Sequence, residues 1–185
     1  MRNLAWFQGY DLLTTGVTLS LGLLGRNNLW FANLDEPVAF IWLMVLFRFW
    51  TTHPRARTAY GVAIGVGLIT SAAGIALNRS IFQFNDLFLT FQSLILSAAS
   101  MFELGRLFMA PDQESPLTQV PLFWVLSGTY FFSLGALVIH ALGNHFVRTL
   151  PLHLVGIPWL LRAILYYVQK LMIAKAFLCP KPTSS

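Results

Sequence analysis

Charge is what this sequence has least of. Only 10% of its 185 residues are Asp, Glu, Lys or Arg, whereas soluble domains carry about 25%. A hydrophobic share of 56% accompanies the shortage, so there are too few polar side chains to cover a water-exposed surface. The composition therefore excludes an ordinary soluble domain and predicts a chain embedded in a membrane.

Cysteine and the common catalytic signatures are also scarce or missing. Cys179 is the only cysteine, so no disulfide forms within the chain. The sequence contains no H-E-x-x-H, G-x-S-x-G, P-loop or C-x-x-C motif, which mark the usual hydrolase, nucleotide and metal sites. The net charge is +5, and the lysines and arginines lie near the ends of apolar segments. This placement is typical of basic residues at a membrane surface and does not indicate nucleic-acid binding. We expect a protein that is not an enzyme and that binds no cofactor, metal or nucleic acid.

Long apolar segments are what the sequence has instead. A helix needs about 20 apolar residues to cross the bilayer core. Pro37 predicts a helix start, because proline fits the first turn of a helix, and residues 26–36 before it resemble an interfacial loop. The pattern predicts an all-α polytopic transmembrane bundle, a single integral membrane domain over residues 1–185. Its expected spans are 4–24, 38–52 (a short one), 60–77, 87–107, 122–145 and 155–177.

The distribution of basic residues orients these spans. Six crossings put both termini on one side of the membrane, and eight of the 12 lysines and arginines then fall on that side, against four on the other. Basic residues favour the cytoplasmic side. The sequence therefore predicts an N-in, C-in topology.

Polar side chains inside the spans are the candidate functional residues, because such groups are costly in lipid and need partners. An inner cluster near the cytoplasmic face is predicted from two pairs. Asp11 and Arg48 share a common depth, and Glu103 and Arg106 stand one helical turn apart. The inner cluster fits either a static lock or part of an ion route, and Asp11 fits either a packed helix face or an ion or ligand contact. The inner cluster comprises Asp11, Arg48, Glu103 and Arg106, and the outer cluster comprises Asp86, His140, Asn144 and Arg162.

Histidines near the outer cluster leave a further alternative open. His145 ends the expected fifth span and His153 follows it, so a metal ion held with Asp86 and His140 is the alternative to a hydrated helix end. We expect the hydrated end.

Glycines at helical spacing predict close helix packing in two spans. Gly61 and Gly65 form a G-x-x-x-G pair that Gly67 extends, and Gly128 and Gly135 lie on the fifth span. Small residues let two helix backbones approach each other. Packing within the chain and homodimerisation both fit this pattern.

Three segments from residue 84 onwards carry a resemblance. They are FNDLFLTFQSLILSAASMF at 84–102, PLFWVLSGTYFFSLGALVIHALGN at 121–144, and the last span with its FLCPK ending. On these segments the chain resembles a family of small multi-pass membrane proteins from Bacteroidetes-type bacteria. It departs from the family at Gln92, where glutamate is frequent, which puts carboxylate chemistry there in doubt. The matching positions are Phe123, Trp124, Gly128, Tyr130, Gly135 and Asn144.

The resemblance implies a function, since members of this family often lie beside two-component sensor histidine kinases. It implies a non-enzymatic sensory or regulatory module of the bacterial inner (cytoplasmic) membrane. The expected partners are the lipid bilayer and a membrane histidine kinase or other membrane subunits, and a homo-oligomer also fits. The alternatives are an accessory subunit of a larger membrane complex, a small transporter, and an intramembrane enzyme that acts on lipid.

Overall fold

The computed structural model describes residues 2–109, 116–151, 154 and 156–179, apart from the side chains of residues 144, 147 and 148. Within these ranges the chain is helical and contains no strand. The 3-10 turn Leu117–Gln119 precedes the fifth helix. The α-helices are α1 (Arg2–Leu23), α2 (Leu29–Trp50), α3 (Pro54–Asn78), α4 (Asp86–Phe108), α5 (Pro121–Ala141), α6 (Gly143–Thr149) and α7 (Gly156–Phe177).

The length and composition of the helices agree with a membrane protein. Over the described ranges, four helices are long and apolar enough to cross a bilayer: α2, α3, α4 and α5. The prediction of an all-α fold is confirmed. Six crossings and their orientation stay predictions.

The start of α2 corrects the sequence interpretation. Helix α2 begins at Leu29, whose backbone N–H donates to Oδ1 of Asn27 across 2.9 Å. Pro37 lies inside the helix and is buried, although proline there removes one backbone hydrogen bond. Residues 29–36 are thus helix rather than interfacial loop, because the apolar pattern continues through them. The second span is 22 residues long instead of short.

Two other helix ends differ from the prediction. Helix α3 begins at Pro54 rather than at residue 60, with Nδ1 of His53 accepting from the backbone N–H of Ala56. Helix α5 ends at Ala141, and Leu142 separates it from the short helix α6. The expected fifth span to residue 145 is therefore two helices.

The chain divides into two compact units, Met1–Gln92 and Ser93–Ser185. In the first unit, α2 packs on both α1 and α3. Phe40 is buried at the centre, with its ring 5.9 Å from that of Phe88 and 6.1 Å from that of Phe91. Gly67 of α3 makes room for this ring, because a Cβ atom there would lie 2.5 Å from Cε1 of Phe40.

Asparagine side chains fix the turn between α3 and α4. The Nδ2 group of Asn33 donates to the carbonyls of Ile81 and Gln83, each across 2.7 Å. Asn85 is buried, donates to the carbonyl of Ser71 across 3.1 Å, and comes so close to α3 that only a glycine fits at position 74. These amide donors satisfy carbonyl groups that the irregular turn leaves without partners from a helix.

In the second unit, α5 and α7 pack closely side by side in antiparallel directions. Two glycines of α5 allow this approach: a Cβ atom would lie 3.2 Å from Cβ of Met172 at Gly128 and 2.5 Å from Cδ1 of Leu165 at Gly135. Between them, the rings of Phe132 and Tyr166 lie 6.0 Å apart. These two glycines therefore act at a helix–helix contact within the chain.

Candidate functional site

A buried histidine joins three helices of the second unit. His140 stands near the end of α5 and is only 3% exposed. Its Nδ1 lies 2.8 Å from the hydroxyl oxygen of Ser93 on α4. Its Nε2 accepts a hydrogen bond of 3.0 Å from Nε of Arg162 on α7. Both ring nitrogens are thus engaged by side chains from neighbouring helices.

The arginine decides which nitrogen of the ring carries the proton. A guanidinium has only donors, so Nε2 of His140 acts as the acceptor. The neutral ring then carries its hydrogen on Nδ1, and this N–H donates to the oxygen of Ser93. A histidine in this tautomer cannot take a proton from the serine. The Ser93–His140 pair is therefore not arranged as a nucleophile with its general base.

Arg162 is held in place by packing as well as by the histidine. Its guanidinium carbon lies 5.7 Å from the ring centre of Phe132 on α5, within the range in which a cation is attracted to an aromatic face. The close contact of α5 with α7 at Gly135 brings both groups within reach. The position of Arg162 thus depends on the same helix pair as the position of His140.

An ion pair of this unit lies towards the end of α4. Glu103 and Arg106 form an ion pair of 2.8 Å, and Glu103 is only 7% exposed whereas a third of the Arg106 side chain is exposed. The guanidinium carbon of Arg106 is also 5.9 Å from the ring centre of Phe102. This pair matches the one-turn spacing predicted from the sequence.

Asp11 and Arg48 belong to the first unit and do not lie at one depth. Tyr10 donates a hydrogen bond to Asp35, and its ring centre lies 5.4 Å from that of Trp42. Asp11, the next residue of α1, is therefore level with residues 35–42 of α2. Arg48 lies six residues beyond Trp42, about 9 Å further along the helix. These contacts of α1 with α2 place Asp11 and Arg48 at different depths, whereas the sequence predicted a common one.

Arg48 lies instead beside α3. A Cβ atom at Gly61 would lie 3.6 Å from Nη1 of Arg48, an ordinary contact distance. Nothing lies within 4 Å of the Cβ position at Gly65, so this face of the G-x-x-x-G pair is open where the structure is described. Of the three glycines predicted to pack on α3, the one with a close neighbour is Gly67.

The structure joins two of the four residues predicted for the outer cluster. His140 and Arg162 are hydrogen-bonded to each other. Asp86 belongs to the first unit and accepts from the backbone N–H of Leu87 across 3.0 Å. The side chain of Asn144 lies outside the described part of the chain.

The metal site considered as an alternative would need its histidines and Asp86 to lie together. His145 is exposed on α6, and His153 lies outside the residues that the structure describes. Over the described ranges, no three His, Cys, Asp or Glu side chains are grouped so that they could hold a metal ion.

Ser93 is the functional residue that sequence reasoning missed. Nothing in the spacing of Ser93, Ser97 and Ser100 along α4 selects Ser93 as the partner of His140. All three serines are buried, at 3%, 7% and 0% exposure. A row of buried hydroxyls on a membrane helix is the signal that could have directed attention to α4.

The chain matches no family model, no curated protein and no solved structure. The family resemblance of the fourth to sixth spans accordingly stays a prediction.

Proposed function

We propose that this chain is a multi-pass protein of the bacterial inner membrane that works without catalysis, as a sensory or regulatory module. It crosses the membrane six times, with both termini in the cytoplasm. Helices α1 and α7 are each 22 residues long, as is α2, so their length supports the two additional crossings.

The proposal of a non-catalytic role rests on the hydrogen bonds at both ring nitrogens of His140. A general base needs a free ring nitrogen within reach of the proton that it removes. Here Arg162 donates to one nitrogen and Ser93 takes up the other. The most buried histidine therefore serves as a connection between helices rather than as a base.

The regulatory part of the proposal concerns contacts with another membrane protein. Helix α7 buries Gln169, Ile173 and Ala176, whereas Tyr167 and Leu171 are 66% and 71% exposed. A face of this kind is available to lipid or to the helix of a partner. The partner that we propose is a membrane histidine kinase, in keeping with the resemblance of the fourth to sixth spans.

Photo-crosslinking in cells that produce this protein tests the proposal. A crosslinking amino acid at Leu171 is expected to form an adduct with a membrane histidine kinase, identified by mass spectrometry. The same amino acid at Leu126, which is 0% exposed, is the control and should form none. An adduct with transporter or respiratory subunits would favour the accessory-subunit alternative. Deletion of the gene should also change the phosphorylation of the kinase, and an unchanged level contradicts the proposal.

A further inference from the structure

Three serine hydroxyls of the second unit are buried without a hydrogen-bond partner. They belong to Ser97 and Ser100 on α4 and to Ser133 on α5, and the three residues are 7%, 0% and 1% exposed. An unpaired hydroxyl is costly in an apolar environment, so buried polar groups are nearly always hydrogen-bonded. Three such groups on two helices therefore require an explanation.

Two contacts fix the register of the helices that carry these serines. Ser93 of α4 meets His140 of α5 at 2.8 Å, and the rings of Phe108 and Phe123 lie 6.2 Å apart. Residue numbers thus rise along α4 as they fall along α5, and the two helices are antiparallel neighbours.

The register brings two of the orphaned hydroxyls together. Ser100 follows Ser93 by seven residues, and Ser133 precedes His140 by seven. Seven residues are about two helical turns, or about 10.5 Å, and return to nearly the same face of a helix. Ser100 and Ser133 therefore lie level with each other, on the faces that α4 and α5 turn towards one another.

The side chains between the two levels are small. Ala136 of α5 is 0% exposed and stands one turn from both Ser133 and His140, and Ser97 stands one turn from Ser93. Small side chains on both facing helices fill little of the space between them. The space is lined by hydroxyls, which is the kind of environment that holds buried water.

A neighbouring residue shows the alternative that these serines do not use. The hydroxyl of Thr129, one turn from Ser133 on α5, donates to the carbonyl of Val125 across 2.9 Å. Such a bond to the preceding turn satisfies a hydroxyl without a ligand. The hydroxyls of Ser97, Ser100 and Ser133 make no bond of this kind.

We propose that the interface of α4 and α5 in the second unit binds a short file of water molecules. The hydroxyls of Ser97, Ser100 and Ser133 hold the file, and it ends at the Ser93–His140 pair. Water supplies both donors and acceptors, so one molecule between Ser100 and Ser133 satisfies both hydroxyls. This inference is independent of the kinase partnership.

Water-edited solid-state NMR of the protein in lipid bilayers tests the proposal, with serine and threonine labelled. The rate of magnetisation transfer from water to Ser100 and Ser133 should lie within about a factor of two of the rate for Ser80. Ser80 lies in the turn between α3 and α4. Thr129 is the matched control and should receive it slowly. Build-up at the serines as slow as at Thr129 would overturn the proposal.

Substitution separates a shared water molecule from a dry, unpaired hydroxyl. Ser133→Ala should lower the transfer to Ser100 by about half, because the shared molecule loses one of its partners. It should also lower the denaturant midpoint of unfolding. An unpaired, dry hydroxyl gives the opposite result, since its removal raises the midpoint. Ser100→Ala gives the reciprocal test, and an unchanged or raised midpoint in both variants contradicts the proposal.

Discussion

Arg162 donates a hydrogen bond from Nε to Nε2 of His140 across 3.0 Å, and it thereby sets the tautomer of a histidine on another helix. The proton on the opposite nitrogen then faces Ser93, 2.8 Å away. One arginine on α7 thus determines how α5 is bonded to α4. The connection between the three helices is a directional chain, from a permanent donor through a histidine to a hydroxyl.

The first prediction concerns the energy of this chain. Arg162→Ala should lower the free energy of unfolding in mixed micelles by about 1–3 kcal/mol, because it leaves a buried acceptor on His140 without a donor. His140→Ala should cost a similar amount. Combined, the two losses should be less than additive, since both remove the same bond. Lys175→Ala, on the exposed side of α7, is the control and should change little. Strict additivity would show that the bond contributes nothing.

The second prediction distinguishes two glycines of α3 that the sequence pattern treats alike. Gly67→Ala should destabilise the protein by about 1–3 kcal/mol, because the new methyl group meets the buried ring of Phe40. Gly65→Ala places its methyl group in open space and should leave stability unchanged or raise it slightly, since alanine favours helix. Thermal unfolding in detergent measures both. Equal effects at the two positions would contradict the packing described for α3.

The third prediction concerns Asp11 and Arg48. Because they differ in depth by about 9 Å or more, alanine at both positions should change the free energy of unfolding by the sum of the single effects. Deviations within about 0.5 kcal/mol count as additive. A larger coupling energy in the double-mutant cycle would show that Asp11 and Arg48 do pair, as a common depth implied.

The fourth prediction concerns topology. Reporters fused after Ser185 should show that the tail lies on the cytoplasmic side. Reporters inserted after Arg26, in the turn between α1 and α2, should show that this turn lies outside the cytoplasm. An external tail would contradict the six crossings or their orientation. Alkaline phosphatase and a fluorescent protein make a suitable pair, because each is active on one side only.

Much of the fold could be predicted from the sequence, since each long apolar run became a helix. The start of α2 could not, because Pro37 is equally compatible with a first turn and with a helix interior whose lost bond other contacts outweigh. The level of Arg48 depends on the other end of α2, which lies at Trp50 and leaves Arg48 in the last turn of the helix.

The candidate site was predictable only in its residue types. His140 and Arg162 were named because polar groups within membrane helices need partners, and the structure joins them. Which partner each group finds depends on helix rotation and register, and neither is encoded in spacing along one helix. For the same reason, Gly65 and Gly67 could not be told apart before a neighbour was known.

The amide of Asn33 has a consequence for the synthesis of the chain. Its two acceptors, the carbonyls of Ile81 and Gln83, lie 48 and 50 residues further along. At ribosomal rates of about 5–20 residues per second, their arrival takes roughly 2–10 seconds after Asn33 has been made. During that interval the nascent α2 carries an amide without these partners, at the stage when a translocon hands helices to the lipid. A ribosome stalled before residue 81 would therefore leave a fragment that membrane quality-control proteases can distinguish from the finished protein.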